Sequence, residues 1–149
     1  MKPIIDMTPA ELRIACAEKC GWKVESKDTR IKNVYYVKLI EPFLGIVGSI
    51  NCYIDDLDKT IEFLKMKNYP DYEHDRNALH ELILNVPKDK HEKFIKAIFG
   101  IQGINVQLFP SALEGYSWDG DIPEVIWNLL IADPITIMRA FLTVMEDNE

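Results

Sequence analysis

Hydrophobic positions along this chain fall into short blocks whose spacing alternates between helical and extended periods. The stretch Thr8-Pro9-Ala10-Glu11 reads as a helix start: Thr8 can cap, Pro9 suits the first helical position, and Glu11 completes a capping box. Leu12, Ala15, Cys16 and Lys19 then lie near one face, and Gly21 supplies a C-terminal stop with Trp22 folding back as its hydrophobic contact. Two blocks rich in β-branched and aromatic residues follow, "IKNVYYVKLI" over 31–40 and "LGIVGSINCYI" over 44–54. Both predict strands, with Pro42 and Gly45 marking the turn between them. Behind an aspartate cap, Leu57, Ile61 and Leu64 recur at helical intervals and predict a short helix.

Pro70 breaks the chain, and Asp71 offers a cap for a helix carrying Tyr72, Leu79, Leu82 and Ile83 and ending before Pro87. Phe94, Ile95, Ile98 and Phe99 mark a further helix with Gly100 as its stop. "INVQLF" is a candidate strand, and residues 110–123 crowd Pro, Gly, Ser and Asp into a loop. The run "EVIWNLLI" over 124–131 is apolar without alternation, as a central strand covered on both faces would be. Asp133-Pro134 repeats the cap-plus-proline signal and opens a last helix. The order helix, strands, helices, strand, helix predicts an α/β fold in which helices cover a small sheet.

A length of 149 residues suits a single domain spanning 1–149, large enough to bury a core without disulfides or metal. No stretch is long and apolar enough to cross a bilayer, and the N-terminus lacks the apolar segment and cleavage site of an export signal, so a cytoplasmic location is expected. Cys16, Cys20 and Cys52 fit reduced thiols better than a disulfide framework. The formal charge of −7, from 24 acidic and 17 basic residues, argues against general nucleic-acid binding and permits a basic protein partner.

Candidate chemistry concentrates in "NYPDYEHDRNALHELI", residues 68–83, which holds His74, His80 and several carboxylates. His80-Glu81 resembles the start of the HExxH zinc signature, but position 84 is leucine and the second ligand is missing. His74 and His80 are six apart, too far around a helix to chelate together. Glu73, Asn77 and His80 would share one helical face, either as a solvated row or as a ligand-facing one. No nucleophile elbow, phosphate-binding glycine motif or Cys/His pair at a family spacing occurs, so no catalytic residue, metal ligand or cofactor is expected.

The same segment resembles the phage ABA sandwich domain, a family of small tailed-phage and prophage proteins. The matching positions are Pro70, Asp71, Tyr72, Asp75, Asn77, Ala78, His80 and Glu81, with "CGW" (Cys20, Gly21, Trp22) and "ADPITIMRAFLTVM" matching in order on either side. Arg76 departs from the pattern, which usually has an apolar residue there. The resemblance implies a three-layer α-β-α sandwich and a bacterial host cytoplasm, and transfers no catalytic residue.

Three functions follow as expectations. The first is a non-enzymatic accessory protein binding a host protein, a defence component for example, with Tyr116 and Trp118 as interface anchors. A second is a small-ligand or nucleotide-signal binder using Arg76, Asn77, His80 and Glu81 around a helix N-terminus. A metal-assisted hydrolase using His80, Glu81 and a distant carboxylate ranks last. Apolar residues nearly all round the last helix, from Ile135 to Met145, imply either a helix sandwiched in the core or one partly covered by a second subunit, hence a homodimer.

Overall fold

The computed structural model describes residues 2–102 and 133–146. Among them the chain is a small α/β fold with five helices and one three-stranded antiparallel sheet, in the order α1 (Pro9–Lys19), β1 (Lys23–Asp28), β2 (Val34–Glu41), β3 (Gly45–Tyr53), α2 (Leu57–Asn68), α3 (Arg76–Leu84), α4 (His91–Gln102) and α5 (Pro134–Glu146). Two compact units share this chain, one formed by residues 1–16 with 71–149 and the other by residues 17–70. No helix among the described residues is long and apolar enough to cross a membrane.

In the first unit the expected capping box forms. Thr8 Oγ1 accepts from the Glu11 N–H at 3.2 Å, and Glu11 Oε1 accepts from the Thr8 N–H at 3.1 Å. The Lys2 Nζ, 2.8 Å from Glu11 Oε1, adds the largest pull on this carboxyl, followed by the Thr8 backbone bond, and its pKa falls to about 2. Helix α3 begins later than the sequence suggests. Its cap is Asp75, which accepts from the Asn77 and Ala78 N–H groups, whereas Asp71 closes a turn over residues 72–74. Both aspartates are good caps by composition. The Asp71 carboxylate, however, is engaged by His74, whose Nδ1 lies 3.1 Å from Asp71 Oδ2.

Helix α4 runs through Gly100 to Gln102, so that glycine does not end it. Gly100 has no positive φ, and the buried Phe94, Ile95 and Ile98 hold the helix against the local penalty of about 1 kcal/mol. Asp133 caps α5 as expected, accepting from the Thr136 N–H at 2.8 Å. Along α5, Ile137, Met138, Ala140, Phe141, Leu142 and Val144 are all buried, against α4, α3 and the 3-10 turn Ile4–Asp6. Of the two readings of this apolar helix, the sandwiched one is realised within a single chain. A buried lysine completes the helix end: Lys90 Nζ donates to the Val144 carbonyl at 2.8 Å, where a cation also meets the negative end of the helix dipole. The segments 104–109 and 124–131, read as strands, lie outside the described residues.

In the second unit, the C-terminal end of α1 closes as a Schellman motif. The Trp22 N–H donates to the Ala17 carbonyl, the Gly21 N–H donates to Glu18, and Gly21 takes a φ of 104°. A Cβ at Gly21 would come within 3.2 Å of the Pro42 Cβ, so glycine is needed there twice over. Trp22 packs edge-on against the buried Tyr69, with ring centroids 5.9 Å apart. Burial, and then the Glu18 charge, push the Tyr69 phenol well above its usual range.

Strand β1 was not legible in the sequence. Val24 is its only apolar residue, and the strand exists through its pairing with β2, where Val24 faces Leu39 and Ser26 faces Val37. β2 and β3 occupy the expected places and pair antiparallel, Val37 opposite Ile50 and Tyr35 opposite Cys52, with a bulge at Val47. Helix α2 touches all three strands, and the sheet's buried side chains are Val37 and Leu39. Asp56 occupies the N-cap position of α2, but its side chain makes no capping bond.

Candidate interaction surface

The two outer strands of the sheet differ in chemistry. Four of the six residues of β1 are charged: Lys23, Glu25, Lys27 and Asp28. Glu25 lies 2.9 Å from Lys23 Nζ and 3.3 Å from Lys38 Nζ, and these bonds, Lys23 first, lower its pKa. Such charges discourage another strand from pairing along an edge. β3, "GIVGSINCY", carries none.

The uncharged stretch extends beyond β3 from Pro42 to Ile54, in a chain that is 28% charged. The β2–β3 turn is held from within, because Glu41 Oε2 accepts from the backbone N–H groups of both Phe43 and Leu44. Gly45 follows with φ 79°, a conformation that favours glycine. This fixed tip leaves Phe43 90% and Leu44 78% exposed. Ile46, Val47, Ile50 and Tyr53 along β3 are exposed as well, and so is Phe63 on α2. Burying one such side chain in a complex would contribute roughly 1.5–3 kcal/mol.

Two open grooves flank these strands. One, of about 410 Å³, is polar and lies in the β1–β2 loop, where Thr29 Oγ1 donates to the Val34 carbonyl at 2.8 Å and Asn33 takes a φ of 63°. The other, of about 420 Å³, runs between β3 and α2 and has apolar walls in Ile50 and Phe63. No family model, curated protein or solved structure matches the chain.

The residues singled out from the sequence are distributed differently. Arg76, Asn77, His80 and Glu81 all project from the exposed surface of α3 and line neither groove. Glu73 precedes that helix, so the expected row of Glu73, Asn77 and His80 on one helical face does not form. His74 is exposed and turned to Asp71, while His91 is buried with Nε2 3.0 Å from the Val86 carbonyl. Desolvation is the largest influence on Asp71 and acts to raise its pKa. Hydrogen bonds from the His74 ring and backbone, with the His74 and Arg13 charges, outweigh it and leave the pKa below the usual value.

Among the described residues no three His, Cys, Asp or Glu side chains converge on one point. All three cysteines are free thiols. Tyr116 and Trp118 lie outside the described residues. The β3 surface carries no charged or histidine side chain that would mark it as a reactive site. Its sequence signal is the absence of charge from Pro42 to Ile54.

Proposed function

We propose that this protein is a non-enzymatic accessory protein that binds another protein through the apolar surface of its 17–70 unit. The observation that carries the reading is the uncharged run from Pro42 to Ile54, presented outward on a turn that Glu41 holds in place. Its resemblance to small phage proteins suggests a bacterial host protein as the target and the host cytoplasm as the place of action. A net charge of −7 adds long-range attraction for a basic partner and none for nucleic acid.

The test is affinity capture from bacterial lysate with the tagged full chain, beside a Phe43→Ser/Leu44→Ser variant and a Tyr116→Ala/Trp118→Ala variant. One stoichiometric protein should be captured by the wild type and lost with Phe43→Ser/Leu44→Ser. Retention by that variant and loss with Tyr116→Ala/Trp118→Ala would move the interface to residues 116–118. Absence of any stoichiometric protein, together with added mass of a few hundred daltons in native mass spectrometry, would replace protein binding by ligand sequestration.

A further inference from the structure

The edge of β3 and the groove beside it restrict both the shape and the charge of what can bind there, and this inference rests on the protein-binding reading above. A strand edge carries N–H and C=O groups in series, and only another extended backbone matches them in register. Beyond the bulge at Val47, β3 pairs regularly with β2 from Gly48 to Tyr53 and, among the described residues, has no strand on its other side. The adjoining groove is walled by Ile50, Cys52, Tyr53 and Phe63, and so offers apolar space for alternate side chains of an added strand. Its far end is acidic. Asp56 and Lys59 line it there, Asp55 and Asp58 are their neighbours in the chain just beyond β3, and none of the three carboxylates makes an ion pair or side-chain hydrogen bond among the described residues.

We propose that the β3 edge is a β-augmentation site for an extended segment of another protein, apolar at every second position and carrying Lys or Arg at the end that reaches Asp55, Asp56 and Asp58. A second copy of this chain meets the requirement less well. Its own β3 has no basic residue to bring to the acidic end, and it adds a further −7 of charge.

The experiment is selection from a display library of random short peptides on the immobilised full chain, followed by titration of the enriched peptide. Enriched sequences should alternate apolar and polar residues and carry Lys or Arg on one flank. Ile50→Lys, which places on β3 the kind of charge β1 carries, should weaken the peptide at least tenfold. Asp56→Lys should weaken it about threefold and flatten its salt dependence. Phe63→Ala, at an exposed position on α2, gives a second readout that leaves the strand untouched and should weaken the peptide about fivefold.

No enrichment over bare support, or an enriched peptide indifferent to both Ile50→Lys and Phe63→Ala, overturns the proposal. So does sedimentation showing a dimer that Ile50→Lys converts to monomer, because the edge would then belong to a second copy. Should lysate capture succeed while the library yields no strand-like peptide, augmentation fails and protein binding stands. If neither experiment shows binding, both fail.

Discussion

The two units of the chain place their apolar side chains in opposite ways. In residues 1–16 with 71–149, large hydrophobics such as Leu12, Leu82, Ile95, Ile137 and Phe141 are buried, and among the described residues only Ile5 and Leu84 are left markedly exposed. In residues 17–70 the buried apolar set is Ala17, Val37, Leu39 and Tyr69, while Ile31, Phe43, Leu44, Ile46, Val47, Ile50, Tyr53, Ile54 and Phe63 are exposed. A three-stranded sheet with one helix has little interior to offer. That alone does not explain the asymmetry between its edges, since β1 covers its outward positions with charge and β3 does not. The difference separates a unit that, among the described residues, buries most of its apolar side chains from one that leaves more of them exposed than buried.

The sharpest contrast is between two phenylalanines. Phe141→Ala should destabilise by about 3–5 kcal/mol in urea unfolding, because the side chain is fully buried and its removal leaves a cavity. Phe43→Ala should change stability by less than about 0.5 kcal/mol, and a larger loss would show that the tip belongs to the core after all. Between these extremes lies Gly21→Ala, expected at about 1–2 kcal/mol from the positive φ and the approach to Pro42. A smaller loss would mean that the 17–70 unit does not depend on that corner.

Asp75→Ala should cost about 1 kcal/mol by removing the cap of α3. The same change at Asp71 should cost less, reversing the order the sequence suggested. The smallest effect is at the chain's beginning. Glu11 has its pKa depressed from 4.5 to about 2, so its stabilising contribution is complete above pH 4.5 and is lost as the pH falls towards 2. An NMR titration of its side chain should place the midpoint near 2, and Glu11→Gln should remove the corresponding pH dependence of stability.

These elements also show what a sequence makes legible. The capping box at Thr8, the stop at Gly21, both β-branched strands and the cap at Asp133 could be read because each depends on residues close in the chain. Strand β1 could not, because "KVESKD" has no strand periodicity and acquires its conformation from β2. The choice between Asp71 and Asp75 was likewise invisible, since it turns on which carboxylate His74 engages. Gly100 reads as a stop locally and is overridden by packing on either side of Phe94 and Ile98. For the uncharged edge, β-branched and aromatic content identified β3 as a strand, but whether a neighbour covers it is a property of the assembled sheet. Arg76, Asn77, His80 and Glu81 attracted notice through their chemistry, and the fold leaves them on an open helix surface.

The most direct test of the central claim is hydrogen–deuterium exchange of the full chain with and without the peptide selected by display. An added strand should slow exchange of the β3 amides from Gly48 to Tyr53 and leave β1 unchanged. Slowed exchange confined to β1, to α3 or to residues 103–132, with β3 unaffected, would contradict the assignment of the binding surface to the uncharged edge.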